Sequence, residues 1–549
     1  MRPKSNSSTS FFNTNIVRHY LPKSRPLLLF DKYIDWESFR SILMKNAEEQ
    51  PIQYSSIGRT AWDVIIIYKT MFCQYYYNLS DRKIEERAFT DLAIREFLGI
   101  SFPERIPDDT TLVRYRNLWG EGKIKKINEQ VIHQAQTLGY AKITQGIVSD
   151  TTHQHASIQR LTGRELLLQA IRKVLAELLI VPESYLPTGN TTLPAELLTS
   201  FEVWSHEEQM LIQTEQLTKT ERFKRVAEYA ITVVDTLHLL LNSLSASLIE
   251  TLEWKSVAVF VNFLDQILME NVSSENCSLV QIKGKRKIIS LVDPEVRTGH
   301  KTRQKPFIGT KASTARTFDG FTIEVDTLDG SIPDSPQAPI IINEVISDYR
   351  EVPDVGSFDK GYDSIENRLQ MLAKGVQPGI QFKKSQNPRH KDLFSADQFY
   401  FDFKTFTVTC PKNQKTTSYN LTSNQKNYRF VFPKATCTVC PLKSKCTVNK
   451  NGRTVQFSIY QELVEDNRVF LQAETYETSR KARWGQEADY GYGKRCFGLG
   501  KTRYRGLKKI SFQNRMIFLV INITRLARRC FKDGISSLHT PHVRGHSVF

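Results

Sequence analysis

The rhythm of apolar positions changes at Lys305, where helical spacing gives way to alternation. From there, 307–317 and 321–328 read as two strands flanking Asp319-Gly320, a dipeptide suited to a tight hairpin. A helix near 340–350 and a strand running into Phe358-Asp359 follow, with Gly361 placed for a sharp turn. Upstream, the run AKITQGIVSDTT at 141–152 predicts a short strand ending at Asp150.

Helical periodicity dominates elsewhere. Over 29–140, Ser80 is placed to cap a helix passing through Ile84, Ala88, Leu92 and Arg95 and ended by Gly99. Pro103 and Pro107 mark a loop, and Thr110 is placed to cap a helix over 112–119. These short helices are compatible with a DNA-binding helix-turn-helix and equally with a dimerisation or packing domain, since no recognition helix stands out. Apolar spacing in 166–179 and 226–252 predicts a long helical stretch to about 275, broken by Gly and Pro near 181–194. Residues 398–460 read as short strands around a cysteine group. The segment 484–494 reads as helix despite Gly491 and Gly493, and a last helix spans about 510–530. There Phe512, Met516, Leu519, Ile523 and Leu526 fall on one apolar face.

A chain of 549 residues suggests about two to four domains, and 40% hydrophobic residues are enough for packed cores. The net charge of +17, with a pI near 9.3, suits a polyanionic partner, nucleic acid or an anionic membrane surface. Distribution sharpens this: from Lys481 onward stand 15 Lys or Arg and 3 acidic residues, interleaved with aromatics as in Arg503-Tyr504-Arg505. The most apolar run, 512–526, is interrupted by Asn514, Arg515, Asn522 and Arg525 and is shorter than the roughly 18 residues a membrane span needs. The first 25 residues are basic and rich in Ser and Asn, without the apolar core of a secretory signal. Eight cysteines, four of them clustered, point to a reducing compartment and a metal site rather than a disulfide scaffold.

Asp150 and Asp359 both fall at predicted strand ends. A lone aspartate there is usually a turn former or helix cap. Two or more acids held on rigid elements are also what phosphodiester chemistry requires, because it uses paired divalent ions about 4 Å apart.

The run Ser357-Phe358-Asp359-Lys360-Gly361-Tyr362-Asp363 resembles the second-aspartate motif of bacterial insertion-sequence DDE transposases. The stretches SDRKIEERAFTDLAIREFLG and IPDDTTLVRYRNLW within 80–119 are similar to their N-terminal domain, and GHKTRQKPFIGTK at 299–311 to the strand region before the second aspartate. Members carry Tyr, two residues, Arg, three residues, Glu, six residues, Lys. Arg483, Glu487 and Lys494 stand at those spacings, whereas Arg480 holds the Tyr position and Tyr476 lies one turn away. On a helix, offsets of −4 and +7 from Glu487 keep the three side chains within roughly 60° of one another. The plainer reading of that face is a solvated Arg-Glu pair at i,i+4.

The resemblance spans about 50–530. It implies an α/β fold, a ribonuclease H-like mixed sheet of five strands with helices on both faces. Departures from a compact core give the expected organisation: a flexible basic tail (1–28), an N-terminal helical domain (29–140), the first part of the core (141–397) with a helical insertion at about 156–290, a strand-rich four-cysteine zinc insertion (398–460), the end of the core with the Glu helix (461–535), and a tail (536–549). It further implies a catalytic trio of Asp150, Asp359 and Glu487 holding two Mg²⁺ or Mn²⁺. Arg480, Arg483, Lys494, Arg495, Arg503 and Arg505 are expected to grip the DNA backbone. His153 and His155 are expected to be polar neighbours of the site, since hard magnesium prefers oxygen, and Asp363 to support it from behind or act as a cap rather than ligate directly.

Cys410, Cys437, Cys440 and Cys446 form C-x26-C-x2-C-x5-C, the supply for a closed tetrahedral zinc and hence a structural role. An iron–sulfur cluster is the lesser alternative. Cys73, Cys277, Cys496 and Cys530 read as ordinary core or surface residues.

The expected activity is Mg²⁺-dependent cleavage at transposon ends and strand transfer into target DNA. The expected partners are the terminal inverted repeats and target duplex, engaged by a homodimer on paired ends, in the cytoplasm at the nucleoid and away from membranes. A nuclease that cuts without joining and an inactive DNA-binding regulator are the rivals. A tyrosine recombinase is poorly supported, because no suitable Tyr follows His542-Val543-Arg544.

Overall fold

A computed structural model describes residues 25–53, 61–100, 104–187, 192–214, 216–280, 287–302, 304–383 and 392–536. At its centre lies a mixed sheet of β1 (Ile147–His155), β2 (Arg297–Thr302), β3 (Lys305–Thr317), β4 (Thr322–Asp329), β5 (Val355–Phe358) and β6 (Gln377–Ile380). The order is β2-β3-β1-β5-β6, and β4 also pairs with β3. The β1–β3, β2–β3 and β3–β4 pairs are antiparallel, and β1–β5 and β5–β6 are parallel. The hairpin forms where Asp319-Gly320 predicts it, with the Thr317 hydroxyl donating to Asp319 Oδ1 at 2.6 Å.

The N-terminal segment departs from expectation in its breaks. The helix expected from Ser80 to Gly99 is two helices, Asp81–Thr90 and Leu92–Leu98, because the Asp91 carboxylate accepts from the amides of Ala93 and Ile94 and starts the second. Asp108, not Thr110, caps the next helix, which runs as Asp109–Thr137 and kinks at Gly120. These helices share one core with the sheet, in which Tyr115, Trp119 and Ile127 join Phe321, Ile341 and Met516.

The C-terminal helix Leu507–Lys532 is buried on nearly every side, not along one apolar face. It lies between the helix Asp109–Thr137 and β4. Its buried amide side chains tolerate this because each is paired: Asn522 with Asn128 and Thr322, Asn514 with Gln154 and Thr327, Gln513 with the Lys501 carbonyl.

Between β1 and β2 the described residues form four long helices, Gly163–Leu178, Leu193–Gln213, Lys219–Ser243 and Leu252–Asn271. They close a separate core around Ile171, Val174, Val233, Leu237 and Trp254. Beyond β6, strands β7 (Tyr400–Asp402), β8 (Thr407–Thr409) and β9 (Lys415–Thr416) form one small sheet. A second consists of β10 (Tyr419–Leu421), β11 (Asn427–Val431) and β12 (Thr454–Ser458). Both cover an aromatic core of Phe399, Phe401, Phe430, Phe432 and Phe457. The expected tails lie mostly outside the described residues, although a helix already begins at Pro26. Among the described residues, no helix is long and apolar enough to cross a membrane.

Candidate active site

Asp150 does not end its strand. It lies inside β1, which continues to His155 because antiparallel pairing with β3 persists as far as His155↔Gly309. Along the parallel β1–β5 pair, Ser149 faces Phe358. The next residues are Asp150, still within β1, and Asp359, just past the end of β5, so the two acids stand side by side. Burial, and then the Asp359 charge, push the Asp150 carboxyl up to about 6 against the opposing hydrogen bond from the Thr151 amide. Burial also works against the Asp359 carboxylate, but the Lys360 amide and Arg483 outweigh it and hold its pKa below the usual value.

The helix carrying Glu487, the expected third acid, runs over Glu474–Cys496, longer than 484–494 and uninterrupted by Gly491 and Gly493. Buried polar contacts dock it on the sheet at Asp150. Gln486 Nε2 donates to the Thr314 carbonyl at 3.2 Å, and Tyr490 Oη donates to the Asp150 carbonyl at 2.5 Å. Thr314 is the cross-strand partner of Asp150. Asp489 lies between Arg316 at 2.9 Å and Arg525 at 2.5 Å, and Arg316 Nη1 donates to the Ala482 carbonyl at 3.0 Å. Gly485 makes this approach possible, since a Cβ there would stand 2.6 Å from the Arg316 guanidinium. Sequence reasoning missed Thr314, Arg316, Gln486, Asp489 and Tyr490. Their one outward sign in the sequence is Gly485, where a side chain would collide with Arg316.

Arg483 Nη2 donates to Asp359 Oδ1 at 3.0 Å. Glu487 sits four residues after Arg483 and three before Tyr490, and is exposed. Helical periodicity puts it on the stripe that Arg483 and Tyr490 press against the two aspartates.

The remaining predicted cations divide. Arg480 pairs with Glu477 at 2.7 Å and lies over the Trp484 ring. Lys494 is half-buried, and burial and Lys301 lower its pKa. His153 is pushed down to about 4 by burial and by Lys494 and Lys301, so it is neutral at neutral pH. Arg495 and Arg505 are exposed. Arg503 instead ties the C-terminal segment to the N-terminal helices, donating to the Leu79 carbonyl at 2.8 Å and to Asn78 Oδ1. Asp363 is held by Arg368 at 2.8 Å and by the Lys383 amide at 2.6 Å.

The tightest carboxylate group among the described residues is a different one. Glu324, Asp326 and Glu344 offer ligand atoms within 4.8 Å of one another. Val325 faces Thr314, which faces Asp150, so strand alternation turns Glu324 and Asp326 to the opposite side of the sheet from Asp150. Lys125 and Arg515 answer their charge, at 2.9 and 3.0 Å from Glu324. Burial and Asp326 push Glu344 up to about 8, so the group also retains a proton at neutral pH. These features make it an ion network joining β4 to the helices Asp109–Thr137, Gln337–Tyr349 and Leu507–Lys532.

Cys410, Cys437, Cys440 and Cys446 are unbridged and line one small cavity with Phe399, Phe432 and Arg453. Burial pushes the Cys446 thiol up, and the three other cysteines add to this against Arg453. The Arg453 amide donates to Cys437 Sγ at 3.4 Å. Gly452 has φ +97°, and a Cβ there would stand 2.5 Å from the Phe432 carbonyl.

Two family matches follow this geometry. Residues 409–527 match the family described as Transposase DDE domain, and residues 15–118 match Transposase domain (DUF772). Glu487 and the four cysteines fall inside the first, while Asp150 and Asp359 lie between the two. No curated protein and no solved structure matches the chain.

Proposed function

We propose that this chain, whose two matches support an insertion-sequence DDE transposase with a transposition-related function on DNA, cuts DNA at the ends of its element and joins them to a target. The observation that carries the reading is the juxtaposition of Asp150 on β1 with Asp359 just past the end of the adjacent parallel strand β5, beneath a helix that Arg483 and Tyr490 anchor to that pair and that carries Glu487. The strand order β4-β3-β1-β5-β6, antiparallel and then parallel, supports a ribonuclease H-like core, with β2 extending the edge.

The donor set fits hard divalent ions, because all three candidate ligands are carboxylates and the two aspartates crowd their charges. Asp150, Asp359 and Glu487 would hold two Mg²⁺ or Mn²⁺, which supply transition-state charge stabilisation and a water of lowered pKa. The chain's own part is positioning. Gln486 and Tyr490 fix the helix against the Asp150 backbone. Arg480, Lys494, Arg495 and Arg505 take phosphates beside the cut, and Arg483 exchanges Asp359 for phosphate. No protein nucleophile is needed, since water and then the freed 3′-hydroxyl attack. The working unit is a homodimer on paired ends, in the cytoplasm at the nucleoid.

The test is incubation with Mg²⁺ and a plasmid carrying the element's ends, followed by end mapping and a joining assay. Cleavage leaving a 3′-hydroxyl and insertion into target are expected, and both should stop with EDTA. Cutting without joining would leave the nuclease reading, and binding without cutting the regulator.

The four thiols fit tetrahedral zinc in a closed, structural site. Purified protein is expected to carry about one zinc per chain, and Cys437→Ser to lose it and destabilise 398–460. Metal analysis of folded, reduced protein decides: absence of zinc sinks the assignment.

A further inference from the structure

The cysteine-bearing module carries charge that the catalytic site does not use. Residues 398–460 hold ten Lys or Arg and a single acid, Asp402. Eight of the ten cations are exposed. Asp402 is occupied by its own turn, accepting from the Lys404 amide at 3.0 Å and the Thr405 hydroxyl at 2.7 Å. A module this small with so little internal compensation projects a strong positive field.

The β10–β11–β12 sheet gives that field a surface. Its inner side is apolar, with Phe430, Val455 and Phe457 in the aromatic core. The register aligns Asn420, Arg429 and Gln456 in one row across the three strands, and all three are exposed. Lys426 precedes β11 and Lys415 lies on β9, both exposed. Amide and guanidinium groups in this row are hydrogen-bond donors for phosphate oxygens, and they offer no aliphatic surface for acyl chains.

We infer that the outer face of this sheet around Arg429, together with the exposed Lys415 on β9 and Lys426 in the turn before β11, is a second contact site for double-stranded DNA, gripping the phosphate backbone independently of sequence. The inference rests on the proposed function for its partner and adds a binding surface separate from the Asp150–Asp359 pair. A zinc module at this place would then do more than close its own fold: it would hold the flanking duplex while the catalytic helix addresses the cut.

The test is duplex binding by a Lys415→Ala/Lys426→Ala/Arg429→Ala variant of the full chain, using a random-sequence duplex across a salt series. Affinity is expected to fall about tenfold or more at low salt, and the salt slope to flatten by about two to three. A charge-matched control, Lys219→Ala/Lys224→Ala/Lys255→Ala on the helical insertion, is expected to bind as wild type. Circular dichroism and zinc content report whether the module still folds. If the triple variant does not fold, Arg429→Gln alone decides, with a slope flatter by about one. Wild-type binding by the folded module variant, or an equal loss in both triples, overturns the inference. Because the probe carries no element end and no reaction is read, an inactive protein still tests this site. Conversely, a chain that cuts and joins while its module variant binds fully would sink this inference alone.

Discussion

Asp359→Ala and Asp150→Ala are each expected to lose Mg²⁺-dependent cleavage by about 10³-fold or more while retaining DNA binding, the several kcal/mol that metal-held charge stabilisation supplies. The two variants should reach this loss by different routes. Asp359 is half-exposed and already paired with Arg483, so its removal frees a cation beside the DNA path, and binding should hold or tighten. Asp150 is buried deeper and sits inside a strand, so the alanine removes a carboxylate whose ionisation burial opposes. Fold should survive in both, because neither side chain belongs to the apolar core. Cleavage read against Mg²⁺ concentration, beside gel-shift binding of the same duplex, separates the two effects. Normal cleavage by either variant would remove that residue from the site.

What could be read from the sequence was local. The Asp319-Gly320 hairpin needs only its own turn and two alternating flanks. The place of Asp359 after β5 follows from a short apolar run and the turn beyond it. The cysteine spacing announced four thiols on one cavity. What could not be read depended on distant partners. The length of β1 is set by its pairing with β3, which the whole helical insertion separates from it along the chain. Gln486, Tyr490 and Asp489 show no pattern of their own, and their partners Thr314 and Arg316 lie 172, 176 and 173 residues away. The last helix displays one apolar face, yet its other faces are buried too, because asparagines and glutamine find buried partners that periodicity cannot show.

Glu487→Gln is expected to abolish cleavage, again by about 10³-fold, while binding end DNA as well as or better than the wild type. The substitution keeps the side chain's shape and helix propensity and removes one negative charge from a stripe that otherwise presents Arg480, Arg483 and Lys494. Glu487 is exposed, so no packing is lost. Neutral changes at the flanking cations should do the reverse. Lys494→Ala is expected to weaken binding and flatten the salt slope by about one. Arg483→Ala should show the same slope change, and it also leaves Asp359 without its 3.0 Å partner, so two carboxylates face each other with one fewer cation between them. That makes Arg483 the variant in which metal requirement and DNA affinity move together, and Lys494 the one in which affinity moves alone. Salt titrations of binding run beside Mg²⁺ titrations of cleavage distinguish the pattern. If Glu487→Gln still cuts, the third acid lies elsewhere. Glu477 is the nearest upstream, but Arg480 clasps it at 2.7 Å, so it would have to break that pair to serve.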